Sequence, residues 1–374
     1  MIGSYGDIIE AWKLEGDVNR PLNLQGMRLI EISNGCIPEG VRIFNCSNNL
    51  LTTLPKLPST LEILLCNNNR LIQLPELPYR LNTLNCFRNW LSGLPYLPKT
   101  LISLQCSFND IRNLPCLPDS LRDLNCSMNY LKTLPPLPPL LKSIDCNNNR
   151  IRALPPLPYN LTELLCYSNY IESLNSLPPG MIDLNCHTNR LVSLPSPLPL
   201  TLISLRCSYN YGLSSLPDHL PPNLQYLSVT NCILDVLPDL PLQLKHLTCS
   251  NNNIIKLPPL PASLKLIHCC KNQLVDLGKM PPALNELHCS HNRLSYIEGV
   301  PSSCSVIILH DNPFLYNFEV GDTVATLYDF ARVVSTVRAI DACHLSEDIF
   351  DRIVKSDCIS CIDCINPSNC SNKY

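Results

Sequence analysis

The chain has 374 residues, enough for two ordinary globular domains or one long repeat array, and a formal net charge of −3. So small a charge gives no bulk electrostatic reason to bind nucleic acid or a membrane surface, and no apolar run approaches the roughly 18 residues that span a bilayer. A content of 35 Pro against 12 Gly would fit disorder, yet 45% of the residues are hydrophobic; both hold together only if the prolines occupy fixed places in an ordered pattern.

In chain order, residues 1–40 lack the pattern that follows. The segment SYGDIIEAWKLEG predicts a short helix, and LIEISNGCIPEG reads as a degenerate first turn, together the N-terminal cap that an exposed array end requires. From residue 41 to 318 the chain falls into rows of twenty. Residues 61–78 read LEILLCNNNRLIQLPELP, residues 81–98 LNTLNCFRNWLSGLPYLP, and residues 121–138 LRDLNCSMNYLKTLPPLP. The template is L-x-x-L-x-C-x-x-N-x-L-x-x-L-P-x-L-P, in fourteen copies whose steps are all 20 except one of 21 and one of 22, on either side of Cys207.

Each recurring position has a physical reason. Leu64 and Cys66 have period-2 spacing and point to one side of a short strand, into the core. Leu61, Leu71 and Leu74 fill that core from the flanking turns. Asn69 stands where the chain leaves the strand, where a carboxamide can both donate to and accept from loop backbone groups. Asn recurs there in thirteen of fourteen copies, the exception being Cys232, in the copy where Val229 takes the usual Cys position. Leu-Pro-x-Leu-Pro then returns the chain in an extended, polyproline-like form. One copy cannot bury its own apolar face, so the array must share a continuous core. Strands about 4.8 Å apart would make it roughly 65 Å long.

Residues 319–357 change character: Val324, Leu327, Phe330 and Val334 have helical spacing, which predicts a helical C-terminal cap. Residues 358–374 form a polar, Cys-rich tail. No basic leader opens the sequence, so the 22 Cys are expected as reduced thiols of an intracellular, cytoplasmic protein. In that setting the Asn-Cys-Ser sequons at Asn45 and Asn125 carry no meaning.

The Leu-Pro-x-Leu-Pro return and the Asn three places after the last core position of the strand resemble the short-repeat family of the bacterial YopM and IpaH effectors. The resemblance covers about residues 41–316. The Cys-rich version of the pattern also resembles, by composition, leucine-rich-repeat proteins of large DNA viruses. The resemblance implies a leucine-rich-repeat horseshoe: a repeat solenoid with one parallel strand per repeat on the concave face and polyproline-like segments on the convex side. It also implies protein scaffolding, in a host cytoplasm if the source is a pathogen or virus. The IpaH branch carries ubiquitin-ligase activity on a Cys-x-Asp motif in a large helical domain. Cys361-Ile362-Asp363 matches the tripeptide, but only about 60 residues follow the array, too few for such a domain. The alternative to a scaffold is an adaptor or ligase-like effector acting through this C-terminal segment.

Other chemistry is sparse. Cys358, Cys361, Cys364 and Cys370 have the spacing C-x2-C-x2-C-x5-C; structural zinc usually takes two separated pairs, so these are weak ligands and no metal or other cofactor is expected. The twelve thiols of the repeated Cys position read as small buried hydrophobes. No Gly-rich phosphate loop, Ser–His–Asp arrangement or basic stripe is present, so no enzyme is expected. The variable positions of the concave face remain. The middle repeats offer Asp123, Asp145, Glu163 and Asp183; later repeats offer Tyr209, Tyr226, His246, His268, His288, His291 and His310. With His187, six of the eight His fall on this surface, and His268 and His288 occupy one position on adjacent strands. These residues are the expected contacts for a protein partner, one with basic groups opposite the acidic band.

Overall fold

A computed structural model describes residues 5–313 apart from residue 298. Among these residues a helix, α1 (Tyr5–Glu15), precedes fifteen short strands that form one parallel sheet in strict chain order. No helix among them is long and apolar enough to cross a membrane. The helical cap expected at 319–357 and the tail thiols Cys358, Cys361, Cys364 and Cys370 lie outside the described residues.

Each full strand is three residues long, as in Ile63–Leu65 or Asp123–Asn125, and pairs in register with the next, twenty residues on except where Asp183 meets Ser204 and Ser204 meets Tyr226. The middle residue points inward: Leu64, Leu84 and Leu104 are fully buried. Pairing continues past the strand proper. The Cys66 N–H donates to the Asn85 carbonyl at 2.8 Å and the Asn68 N–H to the Phe87 carbonyl at 2.8 Å, so two further bonds per turn extend the ladder. Continuation requires a left-handed residue two places after each Cys position, and fourteen non-glycine residues from Asn48 to Asp311 hold φ between 49° and 57° there.

The Asn column closes each turn onto the one before. Asn129 donates from Nδ2 to the carbonyls of Cys106 and Cys126 at 3.0 and 3.1 Å, and its Oδ1 accepts from the Ile111 N–H at 3.0 Å. The same set recurs from Asn49 to Asn312. Cys232 breaks it without leaving an orphan. The repeat before it carries two extra residues, one of them Gly212 between Asn210 and Leu213, and there the Leu213 N–H bonds to the Asn210 carbonyl at 3.0 Å, needing no carboxamide from residue 232. A Cβ on Gly212 would lie 3.0 Å from Val192 Cγ1, a contact that this valine would have to yield to.

The cysteines of the repeat, Cys46 to Cys289, stack fully buried in the core, and all the described cysteines are free thiols. Burial pushes the thiols of Cys46, Cys86 and Cys186 up to about 12, so they stay protonated. The ladder starts before residue 41. Leu22–Asn23 pairs with Phe44–Asn45, with Leu22 and Leu24 fully buried, and α1 covers this end through Ile9 and Trp12. Trp12 Nε1 ties the helix down by donating to the Arg20 carbonyl at 2.9 Å.

Candidate functional site

In each strand the two residues flanking the inward one turn to the concave face, because side chains alternate along a strand. All four acidic residues expected there occupy such positions on four consecutive strands. Asp123 is exposed; Asp145, Glu163 and Asp183 are half-buried. Glu163 and Asp183 are direct register neighbours, a juxtaposition of like charges that works against folding. Glu163 accepts from the Ser143 hydroxyl at 2.8 Å, and Arg206 stands 4.0 Å from Asp183. Asp183 Oδ1 is buried without a hydrogen-bond partner. Burial raises the Asp145 carboxyl above the usual range, opposed by hydrogen bonds from the Asn147 backbone and side chain, while the charge of Glu163 adds to the rise.

Further along the sheet the aromatic and His residues come together in stacks. Tyr226 lies on His246 with ring centroids 4.7 Å apart, and His187 lies on Tyr167 at 4.5 Å. His268 and His288 are stacked at 4.1 Å with planes 7° apart. Tyr209 and His291 sit at the left-handed turn position, and His291 meets His310 edge-on at 5.0 Å. One expectation needs correction: His288 is not an exposed contact residue but only 4% exposed, its register partners on the two adjacent strands being His268 and Ile308. Burial, and then the neighbouring His268, push its imidazole down to about 4.

Two groups bring three ligand-type side chains within 4.8 Å of one another: His268, Glu286 and His288, and at the next turn His291, His310 and Asp311. In the first, Glu286 Oε1 lies 2.7 Å from His268 Nε2 and 3.1 Å from His288 Nε2. In the second, Asp311 lies 2.7 Å from His310 Nδ1 and 3.3 Å from His291 Nε2.

No family model matches the chain, and no curated protein matches it by sequence. Solved structures do. The leucine-rich effector protein YopM from Yersinia pestis is 29% identical, with 82% of this chain and 99% of that one covered and a TM-score of 0.70. The functional domain of InlJ from Listeria monocytogenes, described as including a cysteine ladder, is 23% identical over 74% of this chain and 68% of its own, with a TM-score of 0.54. A leucine-rich-repeat protein from Leptospira interrogans is 21% identical over 77% of each chain, also with a TM-score of 0.54. The last two share the fold alone. The chain is a leucine-rich-repeat protein built on the twenty-residue repeat. Its fold is typically a non-enzymatic binding scaffold.

On this leucine-rich-repeat frame the structure shows a second surface that the repeat template hides. The residue after each ladder Asn lines the edge of the sheet, and Trp90, Tyr130, Tyr170 and Tyr211 are exposed there. Arginines interleave with them: Arg70 stands over the Trp90 ring at 5.9 Å, Arg150 over Tyr130 at 4.8 Å and Arg190 over Tyr170 at 4.7 Å. Arg112, Lys132 and Arg150 line an open groove on this edge with Asp110 and Tyr130. The expectation of no basic stripe therefore fails locally. Reading the columns one and three places after Asn together would have found it, the first holding Arg70, Arg150 and Arg190 and the second Arg112 and Lys132.

Proposed function

We propose that this protein is a non-catalytic intracellular scaffold that holds a folded protein partner across its concave face, with basic groups of the partner against the acidic band. The observation that carries this reading is the Glu163–Asp183 pair. Two carboxylates are kept as register neighbours against their mutual repulsion, and one of their oxygens has no hydrogen-bond partner. A basic side chain laid across both would relieve the repulsion and supply the missing donor. The His- and Tyr-rich half adds large, amphipathic contact area of the kind that anchors interfaces. A wide open sheet is a poor pocket for a small substrate, which favours holding over catalysis.

The test is affinity capture from the relevant cells by wild-type protein and by the chain carrying Asp123→Asn, Asp145→Asn, Glu163→Asn and Asp183→Asn together. A partner held by wild type should fall by about tenfold or more with the fourfold variant. Deletion of 319–374 should leave it bound. Capture unchanged by the four substitutions would sink the reading.

A further inference from the structure

The group His268, Glu286 and His288 does something the scaffold does not need. Glu286 and His288 lie two residues apart on one face of the strand Glu286–His288, and His268 is the register partner of His288 on the strand before it. Two strands of a rigid sheet thus deliver two imidazoles and a carboxylate to one point. His268 Nε2 makes a short hydrogen bond of 2.7 Å to Glu286 Oε1. His288 Nε2 approaches the same oxygen at 3.1 Å but makes no hydrogen bond, and it is buried with no other partner. His288 is only 4% exposed, and its Nε2, buried and pointed at a carboxylate oxygen that already accepts from His268, is poorly served by protein groups alone. If that nitrogen bears no proton, its lone pair faces a lone pair of the carboxylate. An electron-pair acceptor between them would satisfy all three groups at once.

We propose that His268, Glu286 and His288 form a divalent transition-metal site, suited to Zn2+, with an open coordination position towards the concave face. Two imidazole nitrogens and one carboxylate oxygen are an ordinary zinc donor set, and three protein ligands leave the fourth position for water or for a donor from a bound partner. Donor atoms around a tetrahedral zinc stand about 3.3 Å apart, so Glu286 Oε1 would draw back by roughly 0.2–0.6 Å from the observed 3.1 and 2.7 Å, and the stacked rings would tilt from parallel so that their Nε2 atoms converge on the ion. Other groups compete weakly. The stacked core thiols are buried and protonated. The second trio, His291, His310 and Asp311, is 42–59% exposed and has no orphaned atom, so nothing beyond proximity points to an ion there.

The experiment uses the full chain under reducing conditions, with Cys358, Cys361, Cys364 and Cys370 changed to Ser so that tail thiols do not bind the probe. The metal-free protein is titrated with Zn2+ by calorimetry and with Co2+ by absorption. One equivalent should bind, and Co2+ should show ligand-field bands without the intense thiolate charge-transfer band. Glu286→Gln and His268→Asn, both at incompletely buried positions, should each raise the Zn2+ Kd by about tenfold or more while melting cooperatively without metal. His291→Ala with His310→Ala should change it less than about twofold. Absence of stoichiometric binding, binding unaffected by Glu286→Gln and His268→Asn, loss only with the His291/His310 pair, or a thiolate spectrum would each overturn the assignment.

Discussion

At the scale of single residues the ladder asparagines hold more of the fold than their polarity advertises. Asn129 satisfies the carbonyls of Cys106, Cys126 and Ser127 and the N–H of Ile111. Asn129→Ala would strand these backbone groups inside the core, at about 1–3 kcal/mol for each left without water. A loss of about 2–4 kcal/mol in urea unfolding is expected, given partial access of solvent. The Cys column should behave oppositely, because it is chosen for volume and not for reactivity. Val229 already fills that position in one repeat, so Cys249→Val should cost less than about 1.5 kcal/mol by the same measurement. His187 adds a dependence on pH. Burial, and then the charge of Arg206, push its imidazole from 6.5 down to about 4. The unfolded chain therefore takes up a proton between these values that the folded chain refuses, so stability is highest above pH 6.5 and falls as the pH drops towards 4. Melting curves across that window should show a shallower fall for His187→Gln than for wild type; parallel curves would remove His187 as the cause.

At the scale of elements, a solenoid is held by contacts between neighbours, so damage stays local. Helix α1 seals the first turn through Trp12, whose ring is 7% exposed and whose Nε1 is bonded to Arg20. Trp12→Ala should destabilise that end by about 3–5 kcal/mol. Hydrogen exchange should quicken across residues 5 to about 45 while the middle repeats keep their protection. The same locality explains what could be read from sequence. The Leu, Cys and Asn columns were legible because each position imposes one demand twenty residues apart. The opening turn was harder to see: Leu22, Leu24, Leu29 and Ile32 meet the core demand, but Met27 stands where later turns have Asn. The stacking of His268 on His288 followed from their shared position, whereas Glu286 lies in another column and was not grouped with them. The burial of His288 depends on its neighbours His268 and Ile308, which a template that treats strands one at a time does not weigh. The Arg–aromatic edge was hidden because its column opens with Leu50, Arg70, Trp90 and Asp110, four kinds of side chain in a row.

At the scale of the whole molecule two surfaces of opposite character run along one rigid frame: an acidic to His-rich concave face, and an edge where arginines lie on aromatic rings. They make separable predictions about where a partner sits. Contacts with the acidic band are exposed enough to be screened, so a partner held there should associate more slowly as ionic strength rises from 50 to about 500 mM. A partner on the edge would depend on ring faces and respond less steeply. Tyr130→Ser with Arg150→Gln removes one ring–guanidinium pair from the edge without touching a concave side chain. If the concave face is the binding surface, this pair should change Kd by less than about twofold, while the fourfold acidic variant costs about tenfold or more and flattens the salt dependence. The reverse pattern, with the edge pair abolishing capture and the acidic variant neutral, would move the site to the rim. Loss with both sets would mean a partner that wraps from the concave face over the edge, and the excess or deficit of the combined variant over the two separate losses would measure how strongly the surfaces act together.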